Sequence, residues 1–262
     1  MNQSVKPATI QILNTPLAVT TYAELLSFCS EIAKQDRCTS VDFSNTHIVT
    51  MRRRDESFRQ LTRTVDYFIP DGTPLVWCLN ARGAKLKDRV YGPTFLRYAI
   101  EHCPQHITHY FLGGSENCVN RLLSRMQKLN PALRVVGSHN GYFTQADEPA
   151  IVAEIKRLSP DFIWVGLGTP KQQAFIHHNK NTFGHGVILA VGFAFDVNAG
   201  TKKDAPMFMQ RFGLTWLYRL CSEPRRLLFR YLKYNSLFLY YLVRDYLFLF
   251  RPLDDGDANR FN

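Results

Sequence analysis

Between Cys38 and Gly192 the sequence repeats one pattern: a short apolar run, a break of glycine or polar residues, and then a longer stretch with helical spacing. The runs lie within Cys38–Thr50 and at Tyr67–Pro70, Thr108–Leu112, Leu133–Gly137, Asp161–Gly166 and Gly186–Val191. Runs this short and continuously apolar read as parallel strands buried on both faces, with the intervening helices as crossovers. The expected fold class is therefore α/β. In an open α/β sheet, ligands bind beyond the carboxyl ends of the strands, so the breaks are the places to look for chemistry.

Two breaks carry paired glycines. Gly113-Gly114-Ser115-Glu116 and Gly166-Leu167-Gly168-Thr169-Pro170-Lys171 each follow a strand and open a helix. That arrangement turns backbone N–H groups toward a phosphate, which points to a nucleotide diphosphate. Neither spells G-x-G-x-x-G, and tight packing of a turn accounts for such glycines equally well. A third break, Pro70-Asp71-Gly72, sets a carboxylate on a turn at a strand end. Asp71 there either caps the next helix or takes a proton from a substrate hydroxyl. The strand within Cys38–Thr50 breaks into Ser44-Asn45-Thr46, which reads as a cleft-lining loop or as a simple turn built on Asn45. Thr21 is the expected N-cap of a first helix, and Arg52-Arg53-Arg54 reads as a solvated helix face.

Charge narrows the partners. The 262 residues carry a net charge of +10, and the eleven Lys and Arg from Thr201 onward outnumber six Asp and Glu, so half the excess lies there. An acidic partner is implied: nucleic acid, anionic lipid or a phosphorylated substrate. The six cysteines form no C-x-x-C pair and the eight histidines show no ligand spacing. Reduced thiols in a cytoplasmic protein are expected, with no metal site and no signal peptide. The aromatic segment Leu227–Phe250 is too often interrupted by charge to span a bilayer. On a helix beginning near Pro224, Arg226, Arg230, Lys233, Arg244 and Arg251 fall on one side, opposite Leu, Phe and Tyr. Such a helix suits an anionic membrane surface, or packs on the core or on another subunit of a homo-oligomer. Residues 254–262 read as a disordered tail, and the Asp-rich spelling at Asp254–Asp257 is discounted as a metal site because it follows no strand.

Four stretches, in this order, carry a resemblance: Pro70-Asp-Gly72 with Arg89-Val-Tyr-Gly92; Phe111-Leu-Gly-Gly114 through Val136-Gly-Ser-His-Asn-Gly-Tyr-Phe143; Val165-Gly-Leu-Gly-Thr-Pro-Lys-Gln172; and Val191-Gly192 through Gly213-Leu214, Trp216-Leu-Tyr-Arg-Leu220 and Glu223-Pro-Arg-Arg226. In these the chain resembles the WecG/TagA/CpsF family of bacterial glycosyltransferases. The resemblance implies a Rossmann-like parallel-sheet core over residues 1–200, a basic aromatic helical appendage over 201–253, and the tail. It implies inverting, metal-independent and cofactor-free transfer of N-acetylmannosamine, its uronic acid or a related hexose. The donor would be a UDP-sugar and the acceptor a polyprenyl-diphosphate-linked sugar, in cell-surface polysaccharide assembly on the inner face of the membrane, with no nucleic acid involved.

Carried over by position, Asp71 matches the base, and Asn45, Arg89 and Gln172 match polar cleft residues. Gly113, Gly114, Gly166 and Gly168 would let backbone approach UDP. Arg219 and Arg226, assisted by Arg230, would reach over the diphosphate in place of a metal, since guanidinium grips phosphate bidentately. Several positions depart from the family pattern: Gln173 for Glu, Asp204 for Arg, Thr215 for Glu, Thr94 for Asp, and Phe43-Ser44 for Thr-Pro before Asn45, which moves a threonine contact to Ser44 or Thr46. They leave UDP-glucose or a UDP-uronic acid open as donor. A nicotinamide-dependent oxidoreductase is the rival enzyme, weakened by the missing early G-x-G-x-x-G, and a membrane-surface adaptor is the non-enzymatic one.

Overall fold

The computed structural model describes residues 6–249. The tail at 254–262, the last residues of the expected appendage and Arg251 lie outside the described residues. The strands are β1 (Ala8–Ile12), β2 (Thr15–Val19), β3 (Thr39–Ser44), β4 (Tyr67–Pro70), β5 (Thr108–Gly113), β6 (Arg134–His139), β7 (Phe162–Gly166) and β8 (Val187–Ala190). They form one sheet in the order β1-β2-β4-β3-β8-β7-β5-β6. Every pairing is parallel except that of β1 with β2. The first apolar stretch of the chain forms this hairpin. Ile12 pairs with Thr15, and the two turn residues Leu13 and Asn14 both take positive φ, as a two-residue hairpin turn requires.

Helices cover both faces of the sheet. On one face lie α1 (Tyr22–Ile32), α5 (Gly92–His102), α6 (Glu116–Leu129) and α9 (Ala194–Ala199). On the other lie α2 (Thr46–Arg54), α4 (Thr73–Asn80), α7 (Glu148–Leu158) and α8 (Lys171–Asn179). The short α3 (Glu56–Leu61) follows α2, and α10 (Met207–Arg211), α11 (Thr215–Ser222) and α12 (Pro224–Leu249) close the described chain. Strand alternation feeds both layers: Phe162 and Trp164 of β7 face one, Ile163 and Val165 the other. With all four fully buried, these strands read as unbroken apolar runs. Thr21 caps α1 as expected, through a capping box with Glu24.

Two expectations are corrected. The run Arg52–Arg54 is not simply a solvated face. Arg52 is buried with its guanidinium 4.2 Å above the Phe68 ring, where it donates to Thr15 Oγ1 and to Thr62. Arg53 donates to Asp245 of α12 at 3.1 Å. The planar fork supplies enough donors to bury arginine against carbonyls and hydroxyls without leaving them unpaired. The second correction concerns α12, whose apolar residues occupy two faces rather than one. Leu227, Tyr234, Phe238 and Tyr241 turn toward the body of the protein, where Tyr234 meets His47 edge-on and Thr46 Oγ1 donates to Asn235. Phe229, Leu232, Leu239 and Val243 remain exposed on a separate sector. At about 100° per residue, Arg226, Arg230, Lys233 and Arg244 form the strip between them. One helix thus both packs on α2 and offers an apolar surface outward.

Candidate active site

Because β3, β4, β5, β7 and β8 run parallel, their carboxyl ends share one rim of the sheet. Asp71 sits there, directly after β4, with its N–H donating to the Ser44 carbonyl of β3 at 2.8 Å. It does not cap α4. Gly72 holds the cap position without a side-chain bond, and Asp71 Oδ1 instead accepts from the Gly92 N–H at 2.6 Å. No donor among the described residues reaches Oδ2. Burial raises the Asp71 pKa to about 6, although Arg89, the Gly92 bond and Arg219 pull it down; Asp42 adds to the rise. The residue as a whole keeps partial solvent exposure. A carboxyl with one oxygen anchored, one free and a pKa near 6 is suited to accept a proton near neutral pH.

Arg89 is buried and bridges three parts of the chain. It donates to the Asp71 carbonyl at 3.3 Å and to Thr215 Oγ1 of α11 at 3.0 Å, and its guanidinium lies 4.1 Å above the Tyr91 ring. The Tyr91 hydroxyl in turn donates to Asp204 at 2.8 Å. Thr215 and Asp204, two of the positions that depart from the family pattern, are therefore where the C-terminal segment meets the Arg89–Tyr91 stretch. Arg219 lies 4.0 Å above the Phe193 ring just beyond β8. Arg230 is largely buried with an unpartnered Nε, and burial lowers its pKa. Among the described residues no carboxylate pairs with Arg89, Arg219 or Arg230. Arg226 differs: it is exposed and ion-paired with Glu223, yet close enough to Arg230 to depress its pKa.

The remaining expected residues divide. Asn45 caps α2, its side-chain oxygen accepting from the N–H groups of His47 and Ile48, and lies against Gly72 beside Asp71. Thr46 is a tether to α12 rather than a cleft contact. Gln172 is 3% exposed, packed inward against Gly192 instead of opening on the rim. Three glycines have packing reasons. A Cβ on Gly113 would lie 2.5 Å from Gly166, one on Gly166 2.7 Å from the Phe195 ring, and one on Gly114 2.9 Å from Cys118 Sγ. Gly168, at φ +74°, alone of the four borders open space. Sequence reading missed Tyr91, Phe193 and Asp42. Asp42 is a single acid inside an apolar run.

The sequence model of the glycosyl transferase WecG/TagA/CpsF family matches residues 10–251. The chain is 27% identical over 209 residues, 78% of its length and 80% of the relative's, to an N-acetylglucosaminyldiphosphoundecaprenol N-acetyl-beta-D-mannosaminyltransferase of Bacillus spizizenii. Proteins of the same name from Staphylococcus aureus and Bacillus subtilis are 28% identical over 204 residues (77% and 78% covered) and 27% identical over 183 residues (70% and 71% covered).

Proposed function

The chain belongs to the WecG/TagA/CpsF glycosyltransferase family, and on that premise we propose that it moves N-acetylmannosamine or a related hexose from a UDP-sugar to a polyprenyl-diphosphate-linked N-acetylglucosamine, inverting the anomeric carbon. The acceptor and the sugar are those in the relatives' names. The observation that carries the reading is Asp71, a carboxyl at the strand-end rim with one oxygen anchored by the Gly92 N–H and a pKa raised by burial to about 6.

In the proposed step the acceptor hydroxyl loses its proton to Asp71 Oδ2 as its oxygen bonds to the anomeric carbon. The bond from that carbon to the UDP oxygen breaks, and UDP departs as an anion. Arg219 and Arg230, with Arg226 once it leaves Glu223, stabilise the departing diphosphate. Arg89, already committed to the Asp71 carbonyl and Thr215, holds the base in place and lends positive charge behind it. Residues 201–253 then act as an appendage to a core of residues 1–200, contributing arginines over the rim.

A lipid-linked acceptor requires approach to a membrane. Among the described residues no helix is long and apolar enough to cross one. The exposed Phe229, Leu232 and Val243 of α12 and Phe208 and Phe212 around α10, beside a basic strip, favour peripheral contact with an anionic leaflet. The test is a panel of UDP-sugars, including UDP-N-acetylmannosamine, UDP-glucose and a UDP-uronic acid, against a lipid-diphosphate-N-acetylglucosamine acceptor. Transfer from one donor with release of UDP is expected; no transfer and no UDP binding by calorimetry would overturn the reading.

A further inference from the structure

The end of β8 meets Asp71 at Gly92. A Cβ on Gly92 would lie 3.5 Å from the Val191 carbonyl oxygen and 3.6 Å from Asp71 Oδ1. Phe193 follows Val191 by two residues, no more than about 7 Å further along the chain. Its ring carries two cations: the Arg219 guanidinium lies 4.0 Å from the ring centroid and the Lys202 ammonium 5.7 Å from it. However they are disposed about the ring, the two charges are closer than about 10 Å, the Debye length in 0.1 M salt, so they act on each other. Lys202 reaches this place because the chain turns sharply after α9. Gly200 takes φ +69° at the end of that helix, and the Thr201 and Lys202 N–H groups both donate to the Asp196 carbonyl, at 3.0 and 3.2 Å.

The Lys202 side chain then crosses to Glu223, between α11 and α12, with Nζ 3.0 Å from Oε1. Glu223 Oε2 accepts from Arg226. One carboxylate thus gives one oxygen to each of two cations, as a phosphoryl group does when it bridges them. Burial alone raises the Glu223 pKa, but the bonds from Arg226 and Lys202 outweigh it and hold the carboxyl below its ordinary value, so it is ionised at neutral pH. Arg230, whose pKa is lowered by burial and further by Arg219 and Arg226, completes the group. Among the described residues Arg219 and Arg230 form no ion pair, and neither does Asp196, the other acid nearby, which accepts from Thr201 Oγ1.

Resting on the transferase reading, we propose that Lys202 is a further binding residue for a substrate diphosphate, kept in place by Glu223 until the diphosphate takes over the contact. Lys202, Arg219, Arg226 and Arg230 share the single paired carboxylate of Glu223, and the excess of positive charge matches a diphosphate. The Lys202 side chain is 41% exposed, so its ammonium is free to exchange partners, and the fold does not depend on an exposed pair of this kind. The exchange conserves contacts: Lys202 and Arg226 each trade a carboxylate oxygen for a phosphate oxygen that carries more charge. Position agrees. An inverting transfer sets base and leaving group on opposite sides of the anomeric carbon, and Phe193 holds these cations just past the strand end that meets Asp71. Both substrates of the proposed reaction carry a diphosphate, and the test separates them.

Dissociation constants of the full chain, as wild type and as Lys202→Gln, are measured by calorimetry for UDP, farnesyl diphosphate and uridine. Lys202→Gln is expected to weaken at least one of the two diphosphates about tenfold, as loss of a charge-assisted bond does, and to leave uridine within about twofold. A loss confined to UDP assigns the donor's diphosphate, and one confined to farnesyl diphosphate the acceptor's. Undiminished binding of both by a folded variant would overturn the proposal. So would an equal loss for uridine, which carries no phosphate. A second measurement needs wild type alone: reductive methylation of Lys202, read by peptide mass spectrometry against exposed Lys203, is expected to slow several-fold under the saturating diphosphate. Equal rates with and without it would also overturn the proposal. A wild type that binds farnesyl diphosphate but no UDP would count against the transferase reading, with Lys202 still decided on the prenyl diphosphate; one that binds neither would overturn both.

Discussion

An aspartate that serves as a base near neutral pH has to give up the low pKa of its exposed form, and Asp71 does so by burial against β3 and α5. The sign of the consequence is definite. A base works deprotonated, so kcat/KM is expected to fall as pH drops through about 6, read from the acid limb of its pH profile. Stability moves oppositely. The folded carboxyl binds its proton more tightly than the unfolded one, so the native state loses stability as pH rises between about 4 and 6. Asp71→Asn is therefore expected to melt higher than wild type at pH 7.5 while losing about a hundredfold or more in kcat/KM with UDP binding kept, measured by calorimetry and steady-state kinetics. Equal activity in the variant would remove Asp71 as the base. At this scale the Pro70-Asp71-Gly72 spelling told where the acid would sit but not which group it would meet. The Gly92 N–H that occupies Oδ1 comes from 21 residues away.

At the scale of elements, local sequence is a good guide wherever the bonds are local. The α1 capping box closes between Thr21 and Glu24. Thr21→Ala is expected to cost about 1 kcal/mol in urea or thermal unfolding, as loss of one N-cap bond does. The arginines of α11 and α12 are different, because their contacts cross the fold. Arg219 stacks on Phe193 just beyond β8, and Arg230 sits partly buried close to it. Arg219→Ala is expected to lower kcat about a hundredfold while shifting the melting temperature little, as removing one preorganised donor from a developing anion does. Undiminished turnover would mean that Arg219 never meets the diphosphate. Helical spacing alone could not show which of the basic residues turn inward, and Arg52, predicted to be solvated, proved to be buried.

For the whole molecule, the decisive feature is α12 lying on α2 with a second apolar sector facing out. Exposed aromatic and aliphatic side chains beside cations are expected to hold the protein at an anionic bilayer. Phe229→Glu with Leu232→Glu should abolish pelleting with phosphatidylglycerol vesicles while UDP binding persists. Undiminished pelleting would place the membrane contact elsewhere.

The alternating pattern from Cys38 to Gly192 was enough to specify a parallel α/β sheet, the rim that gathers its strand ends, and the motifs along it. These follow from backbone periodicity, which neighbouring residues set together. What the sequence left open are the contacts between residues more than 100 positions apart. Gln173 reaches Asp42, Thr215 reaches Arg89, Asp204 reaches Tyr91, and Asn235 reaches Thr46. Whether a polar side chain is solvated, structural or poised for chemistry depends on which distant surface closes over it. That choice belongs to the packing of the whole chain, because burial and the company of other charges decide both the cost and the use of each polar group.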